Sequence, residues 1–246
     1  MRHGIIVAAL AGELRPLVRG WTHTTRGGAA LWQRPPAPGT DWTWTAACAG
    51  IGRAPALRAL AAAEAAGGPA HRIISAGFAG ALSVQHAPGE TFEVSEVIDA
   101  STGERFKCAR WGAPGYSDVK RRTAAIGAKA VLATVDRIAD SAEKSRLAAD
   151  LQTDLVDMEA AALAQIAQVR GVAFSCFKGI SDGPADRIPT NPSFVDPNGR
   201  LRYGHLIAYA VLHPSQWVNL VRIGQNSGKA ARGLKTALQA VMDDAS

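Results

Sequence analysis

Residues 153–182 read TDLVDMEAAALAQIAQVRGVAFSCFKGISD. The short apolar pair Leu155-Val156 meets the acids Asp157 and Glu159, the pattern of a strand end running into a helix. Ala160 to Arg170 is alanine-rich and stops at Gly171, a residue suited to the left-handed cap that ends a helix. Ala173 to Ile180 is an apolar run of strand length, closed by Ser181-Asp182-Gly183. Strand, helix and buried strand in succession make a βαβ unit, which argues for a largely parallel sheet covered by helices on both faces.

The same rhythm extends in both directions. Ile5 to Leu10 predicts a buried strand, and Trp42 to Ala47 alternates Trp and Thr as a strand with unlike faces. The latter runs into a tight turn at Cys48-Ala49-Gly50-Ile51-Gly52. A helix from Arg53 to Ala66 ends at Gly67-Gly68-Pro69, where glycine caps and proline forbids continuation. Arg72 to Ser75 predicts a strand entering a small-residue loop, Ala76-Gly77-Phe78-Ala79-Gly80, whose backbone a ligand can approach closely. Glu90 to Asp99 fits a half-exposed or antiparallel strand, residues 101–118 are loop-rich, and Val131 to Val135 predicts a further strand. Pro184 to Pro197 is read as a loop fit for a lid. His205 to Leu212 and Trp217 to Val241 are read as helical, the second broken or bent near Gly224 and Gly228. No repeat or linker interrupts the pattern, so the expectation is one domain over residues 1–246, with a C-terminal helical extension from about residue 205.

Composition agrees with one α/β domain: 246 residues, 47% apolar and 20% charged. The net charge of +6 is scattered, with Lys120-Arg121-Arg122 the one basic run and no recognised nucleic-acid module beside it, which argues against a nucleic-acid partner. No apolar run approaches the roughly 20 residues of a membrane span, and Met1-Arg2-His3-Gly4 leads straight into a strand, so a cytoplasmic protein is expected. Cys48, Cys108 and Cys176 are widely separated and odd in number, which suggests neither disulfides nor a metal site.

Chemistry concentrates in acids at or just beyond strand ends: Glu13, the Asp157/Glu159 pair and Asp182. In open α/β sheets that edge is where ligands bind. Gly4-Ile5-Ile6-Val7-Ala8-Ala9 followed by Glu13 resembles the first strand and glutamate of the nucleosidase branch of the nucleoside phosphorylase and methylthioadenosine/S-adenosylhomocysteine nucleosidase superfamily. Ala49-Gly50-Ile51-Gly52-Arg53 resembles its second glycine turn. Val156-Asp157-Met158-Glu159-Ala160-Ala161-Ala162 is similar to its ribose-binding motif, and Gly179-Ile180-Ser181-Asp182 to its purine-protonating motif. The segments stand in the family's order over roughly residues 4–182.

The resemblance implies a three-layer αβα fold with the mixed, partly barrel-like central sheet of the purine nucleoside phosphorylase-like fold. It implies that Glu13 deprotonates an attacking water, Met158 packs on the sugar, Glu159 accepts hydrogen bonds from the ribose 2′- and 3′-hydroxyls, and Asp182 protonates purine N7 with Ser181 orienting it. Protonating the base and stabilising sugar cation character both lower the barrier to leaving. An ordinary aspartate is ionised at neutral pH, so Asp182 is expected to need burial to hold a proton. Blander roles stay open: Asp182-Gly183 closing a turn, Glu159 complementing a helix dipole, Met158 filling core.

Gly77 and Phe78 are expected to line the pocket. Ile138 stands where the family carries a stacking phenylalanine, with Phe78 or Phe106 as substitutes. The family's phosphorylases carry an arginine where this chain has Ser75, so water is favoured over phosphate as nucleophile. Arg15, Arg19 and Arg53 remain candidate phosphate contacts. The expected function is therefore hydrolysis of a purine nucleoside or thionucleoside, in methionine salvage on the family's pattern. It needs neither metal nor organic cofactor, and the chain is expected to form a homo-oligomer, read as a homodimer. Alternatives are a phosphate-dependent phosphorylase, including the hopanoid-associated type, and a non-catalytic nucleoside-binding protein. The C-terminal part is read as an oligomer surface, a lid or a site for a bulky 5′ substituent.

Overall fold

The computed structural model describes residues 1–35, 38–109, 127–186, 196, 199, 202 and 217–244. Its strands are β1 (Arg2–Ala8), β2 (Thr22–Arg26), β3 (Ala29–Gln33), β4 (Trp42–Cys48), β5 (Arg72–Ala81), β6 (Thr91–Asp99), β7 (Arg105–Lys107), β8 (Gly127–Thr134), β9 (Leu155–Asp157) and β10 (Ala173–Asp182). The helices are α1 (Ala11–Leu14), α2 (Arg53–Gly67), α3 (Ser141–Leu151), α4 (Ala160–Arg170) and α5 (Trp217–Asp244).

The strands form one mixed sheet in the order β10-β6-β8-β9-β5-β1-β4-β3-β2, with β7 on β6. β10 also pairs with β5. That second pairing closes β5, β10, β6, β8 and β9 into a ring, while β1, β4, β3 and β2 extend from it as an open wing, so the sheet is barrel-like on one side only. β1, β4 and β5 run parallel, as do β5 and β10. β6 is antiparallel to β10 but parallel to β8. Because β9 is antiparallel to β5 while β10 is parallel to it, β9 and β10 run in opposite directions and do not make the expected parallel βαβ unit.

Two helical layers cover the sheet. Alanines of α2 and α4 pack with Ile5, Val7, Ile73, Leu132 and Ile180 in one core cluster. The first half of α4 is buried on nearly every side, which small side chains permit against a sheet. On the other face Leu14 and Leu17 join Leu234, Ala237, Leu238, Val241 and Met242 of α5 over Ile6, Ile74 and Phe177. A third, smaller cluster under α3 comprises Leu82, Ala133, Val135, Ala139, Leu147 and Val156. All three cysteines are buried and free.

Several sequence expectations change here. Residues 76–80 are not a loop: β5 runs on to Ala81, and β10 pairs with it through the Gly80–Asp182 register. α5 is one continuous helix with no break at Gly224 or Gly228. Its buried stripe from Ala230 to Met242 recurs at helical spacing, and a Cβ at Gly179 would lie 2.8 Å from that of Ala230. The helix thus sits directly on β10. The hairpin β2–β3, turning at Gly27-Gly28 with positive φ at both, and helix α3 are additions to the sequence reading. The expected lid falls mostly outside the described residues, and the 205–212 helix entirely so. Among the described residues no helix is long and apolar enough to cross a membrane.

Candidate active site

Glu13 enters through α1, which begins three residues after β1 ends. Its carboxylate is tied at both oxygens: Oε2 accepts from the Leu10 N–H at 2.8 Å and Oε1 from the Phe78 N–H at 2.9 Å. Gly77 supplies the room, since a Cβ there would lie 3.0 Å from Oε1. Glu13 is buried, and burial raises its carboxyl above the ordinary value, opposed by those two N–H groups and by Lys178.

Glu159 is the N-cap residue of α4 but does not cap it. That work is done by Asp157, whose Oδ2 accepts from the Ala160 N–H at 2.9 Å, and by the Thr134 hydroxyl, which accepts from Ala161 at 3.1 Å. The Glu159 carboxylate turns instead to the glycine turn, where Oε1 accepts from the Gly52 N–H at 2.8 Å. A dipole-complementing role is therefore not its main interaction. Burial, then the neighbouring Asp157, push its carboxyl up to about 7.

Between the acids stands Lys178, fully buried in the middle of β10, with Nζ 2.8 Å from Asp157 Oδ2. Burial works against the ammonium, yet Asp157, Cys176 and Glu159 outweigh it and hold the group above its ordinary value. Both Glu13 and Glu159 feel its charge and Glu159 feels that of Glu13. The structure thus gathers Glu13, Glu159, Asp157 and Lys178 into one electrostatic cluster. Lys178 escaped the sequence reading, although a lysine inside an otherwise apolar strand was the signal for it.

Asp182 lies farther along the same strand. It is buried as expected, but not alone: Lys144 Nζ, from α3, stands 2.5 Å from Oδ2, and the Ser181 hydroxyl donates to Oδ1 at 2.6 Å. The residue is therefore half of a buried ion pair. Gly80 gives this pair its space, a Cβ there falling 2.9 Å from Asp182 Oδ2. Gly77 and Gly80 thus leave room on β5 for Glu13 and for the Lys144–Asp182 pair respectively.

Met158 is half-buried and packs against the cluster under α3. Ile138 is half-buried two residues ahead of Asp140, whose carboxylate caps α3 by accepting from the Glu143 N–H at 2.8 Å. Phe78 is half-buried against the α5-side core. Phe106 is buried in the opposite cluster and unavailable for stacking on a ligand. Arg15 and Arg19 are exposed. Arg53 is engaged by Asp99 through two bonds of 2.5 and 2.8 Å and by Asp136 at 2.6 Å, so its charge is already matched by carboxylates. Ser75 is buried beside Cys176. Among the described residues no group of three or more His, Cys, Asp or Glu is placed to hold a metal.

The sequence profile described as "Phosphorylase superfamily" matches residues 5–200. The chain belongs to the phosphorylase superfamily. No curated protein sequence matches it. Among solved structures, this superfamily member is similar to Arabidopsis thaliana 5′-methylthioadenosine nucleosidase, with 20% identity, 99% of this chain and 96% of that one covered, and a TM-score of 0.72. It is similar to futalosine hydrolase of Helicobacter pylori, at 14% identity, 98% and 97% coverage and a TM-score of 0.74. A third is the 5′-methylthioadenosine/S-adenosylhomocysteine nucleosidase of Neisseria meningitidis in complex with methylthio-immucillin-A, at 15% identity, 98% and 99% coverage and a TM-score of 0.73. These likenesses establish the shared fold.

The raised Glu159 carboxyl has a measurable consequence for stability. An unfolded glutamate ionises at about pH 4.3, whereas the folded one does so at about 7. Between those values the folded protein holds a proton that the unfolded chain has released, so stability falls as pH rises through the window and levels off above it. Glu159→Gln keeps an acceptor for Gly52 and removes the charge. It is expected to gain on the order of 2 kcal/mol and a few degrees in Tm at pH 8. The gain should vanish near pH 4, as followed by thermal melts across the range.

Proposed function

We propose that this protein is a nucleosidase that hydrolyses the N-glycosidic bond of a purine nucleoside or thionucleoside. The observation that carries the reading is the gathering of the buried Glu13, Glu159 and Asp157 about Lys178, whose Nζ lies 2.8 Å from Asp157 Oδ2. Glu13, with a carboxyl raised by burial, suits a general base for water. Glu159, a buried carboxylate whose oxygens accept from the Gly52 and Met158 N–H groups, suits the ribose hydroxyls as further donors. Asp182 and Ser181 suit the base, with Gly77, Phe78, Met158 and Ile138 as the surrounding wall. Cleavage then proceeds by departure of the protonated base from an oxocarbenium-like sugar, with water delivered to C1′ and its proton passed to Glu13. The nucleosidases and the hydrolase of the same fold support water as nucleophile, and the commitment of Arg53 to Asp99 and Asp136 supports it further. A thionucleoside of methionine salvage is the finer form of this proposal, with the chain acting as a homo-oligomer in the cytoplasm.

The test is base release from adenosine, inosine and 5′-methylthioadenosine, with and without inorganic phosphate. Equal rates, with free sugar as product, are expected. A strict phosphate requirement with ribose 1-phosphate as product would move the protein to the phosphorylases, and binding without any release would make it a binding protein.

A further inference from the structure

The Lys144–Asp182 pair lies outside the Glu13, Glu159 and Lys178 cluster, and its construction is costly. The two side chains are 3% and 2% exposed, and a buried ion pair is generally no more stable than apolar residues of the same volume. Lys144 nevertheless projects from α3, a helix whose other described charged residues are not buried. Its ammonium reaches Asp182 Oδ2 at 2.5 Å and the Gly183 carbonyl at 2.8 Å. The surroundings fix it there. Gly80 leaves the space, the α3 N-terminus is capped by Asp140, and the turn after β10 is held by Asp186. That carboxylate accepts from the Gly183 N–H at 2.8 Å and from Arg222 of α5 at 2.5 Å. The second oxygen of Asp182 faces the Ser181 hydroxyl.

Resting on the nucleosidase reading above, we propose that Lys144 is a positioning residue and proton reserve for Asp182, supplying through it the proton that the departing base takes up. In the resting site Lys144 is an ammonium and Asp182 a carboxylate. Lys144 first passes a proton to Asp182 Oδ2; as the C1′–N9 bond breaks, its electron pair goes to the purine and N7 takes that same proton from Oδ2. The base leaves neutral, Asp182 remains a carboxylate and Lys144 becomes a neutral amine. Water adds to C1′ and gives its proton to Glu13. Exchange with solvent then returns a proton to Lys144 and removes one from Glu13, so the cycle closes without any other reactant.

The test compares wild type, Lys144→Met, Lys144→Arg and the double variant Lys144→Met/Asp182→Asn on two substrates. One is whichever of adenosine, inosine and 5′-methylthioadenosine the wild type cleaves fastest. The other is p-nitrophenyl β-D-ribofuranoside, whose phenolate departs without a proton. Lys144→Met is expected to lose roughly 100-fold or more in kcat on the nucleoside, with KM within a few-fold of wild type, while the aryl riboside falls by less than about fivefold. Lys144→Arg should recover to within about tenfold of wild type. The double variant, which buries no lone charge, should melt near wild type yet stay as slow on the nucleoside as Lys144→Met. Equal losses on both substrates, or a Lys144→Met that keeps a third or more of wild-type kcat, overturn the proposal. A wild type inert toward every nucleoside overturns the nucleosidase reading itself, and the proposal with it.

Discussion

Glu13→Gln is expected to lower kcat on a nucleoside by about 10³-fold, within the range for removing a general base, while KM changes little. The substitution keeps shape and volume and removes the ability to accept a proton from water. It also carries a structural cost that can be anticipated. Both Glu13 oxygens accept from backbone N–H groups, those of Leu10 and Phe78. An amide cannot accept at both ends, so one N–H must face an NH2 group, at a cost of about 1–3 kcal/mol for the unsatisfied donor. Thermal melts and circular dichroism alongside the kinetics separate the effects: a folded protein with a few degrees lost in Tm and the full loss of kcat is the expected result. Near wild-type turnover would remove Glu13 from the mechanism.

The second large effect falls on stability. Lys178→Met, similar in length, leaves Asp157 buried without its cation, with Glu159 and Glu13 close by. Removing one partner of a buried pair typically costs about 3–5 kcal/mol, which for a chain of this size is on the order of 10 °C in Tm. Turnover should be lost as well. Adding Asp157→Asn removes the stranded charge, and the introduced amide still offers an oxygen to the helix N-terminus. The double variant is expected to regain more than half of the lost Tm without regaining turnover. A double variant less stable than Lys178→Met would show that the ion pair is not the source of the loss.

Legibility from sequence followed the physics of each element. β1, β4, β10, α2 and α4 are apolar or alanine-rich runs ended by glycine or acid, and they were readable because each satisfies its own pattern locally. The acids at or beyond strand ends were readable for the same reason. β2 was not, because Thr22–Arg26 is exposed along its whole length and shows no alternation. Only Gly27-Gly28 marked the turn. Residues 76–80 read as loop since glycine weakens an isolated strand, but β10 pairs them, and the two glycines make room for Glu13 and the Lys144–Asp182 pair. α5 reads as broken or bent near Gly224 and Gly228, whereas the helix is continuous through both and a Cβ at Gly224 would meet nothing within 4 Å.

The two lysines were the main omission at the site. Lys178 and Lys144 find their carboxylates on β9 and β10 from β10 and α3, pairings that no local spacing encodes. Asp140 and Glu143 did carry the signature of a helix start, and that would have placed Lys144 in the first turn of a helix.

The most direct measurement is a crystal structure of the Glu13→Gln variant with an intact purine nucleoside bound. The account predicts the 2′- and 3′-hydroxyls on Glu159, a water between the substituted side chain and C1′, and the purine directed at Asp182 and Ser181. A nucleoside with its ribose away from Glu159, or its base away from Asp182, would contradict it.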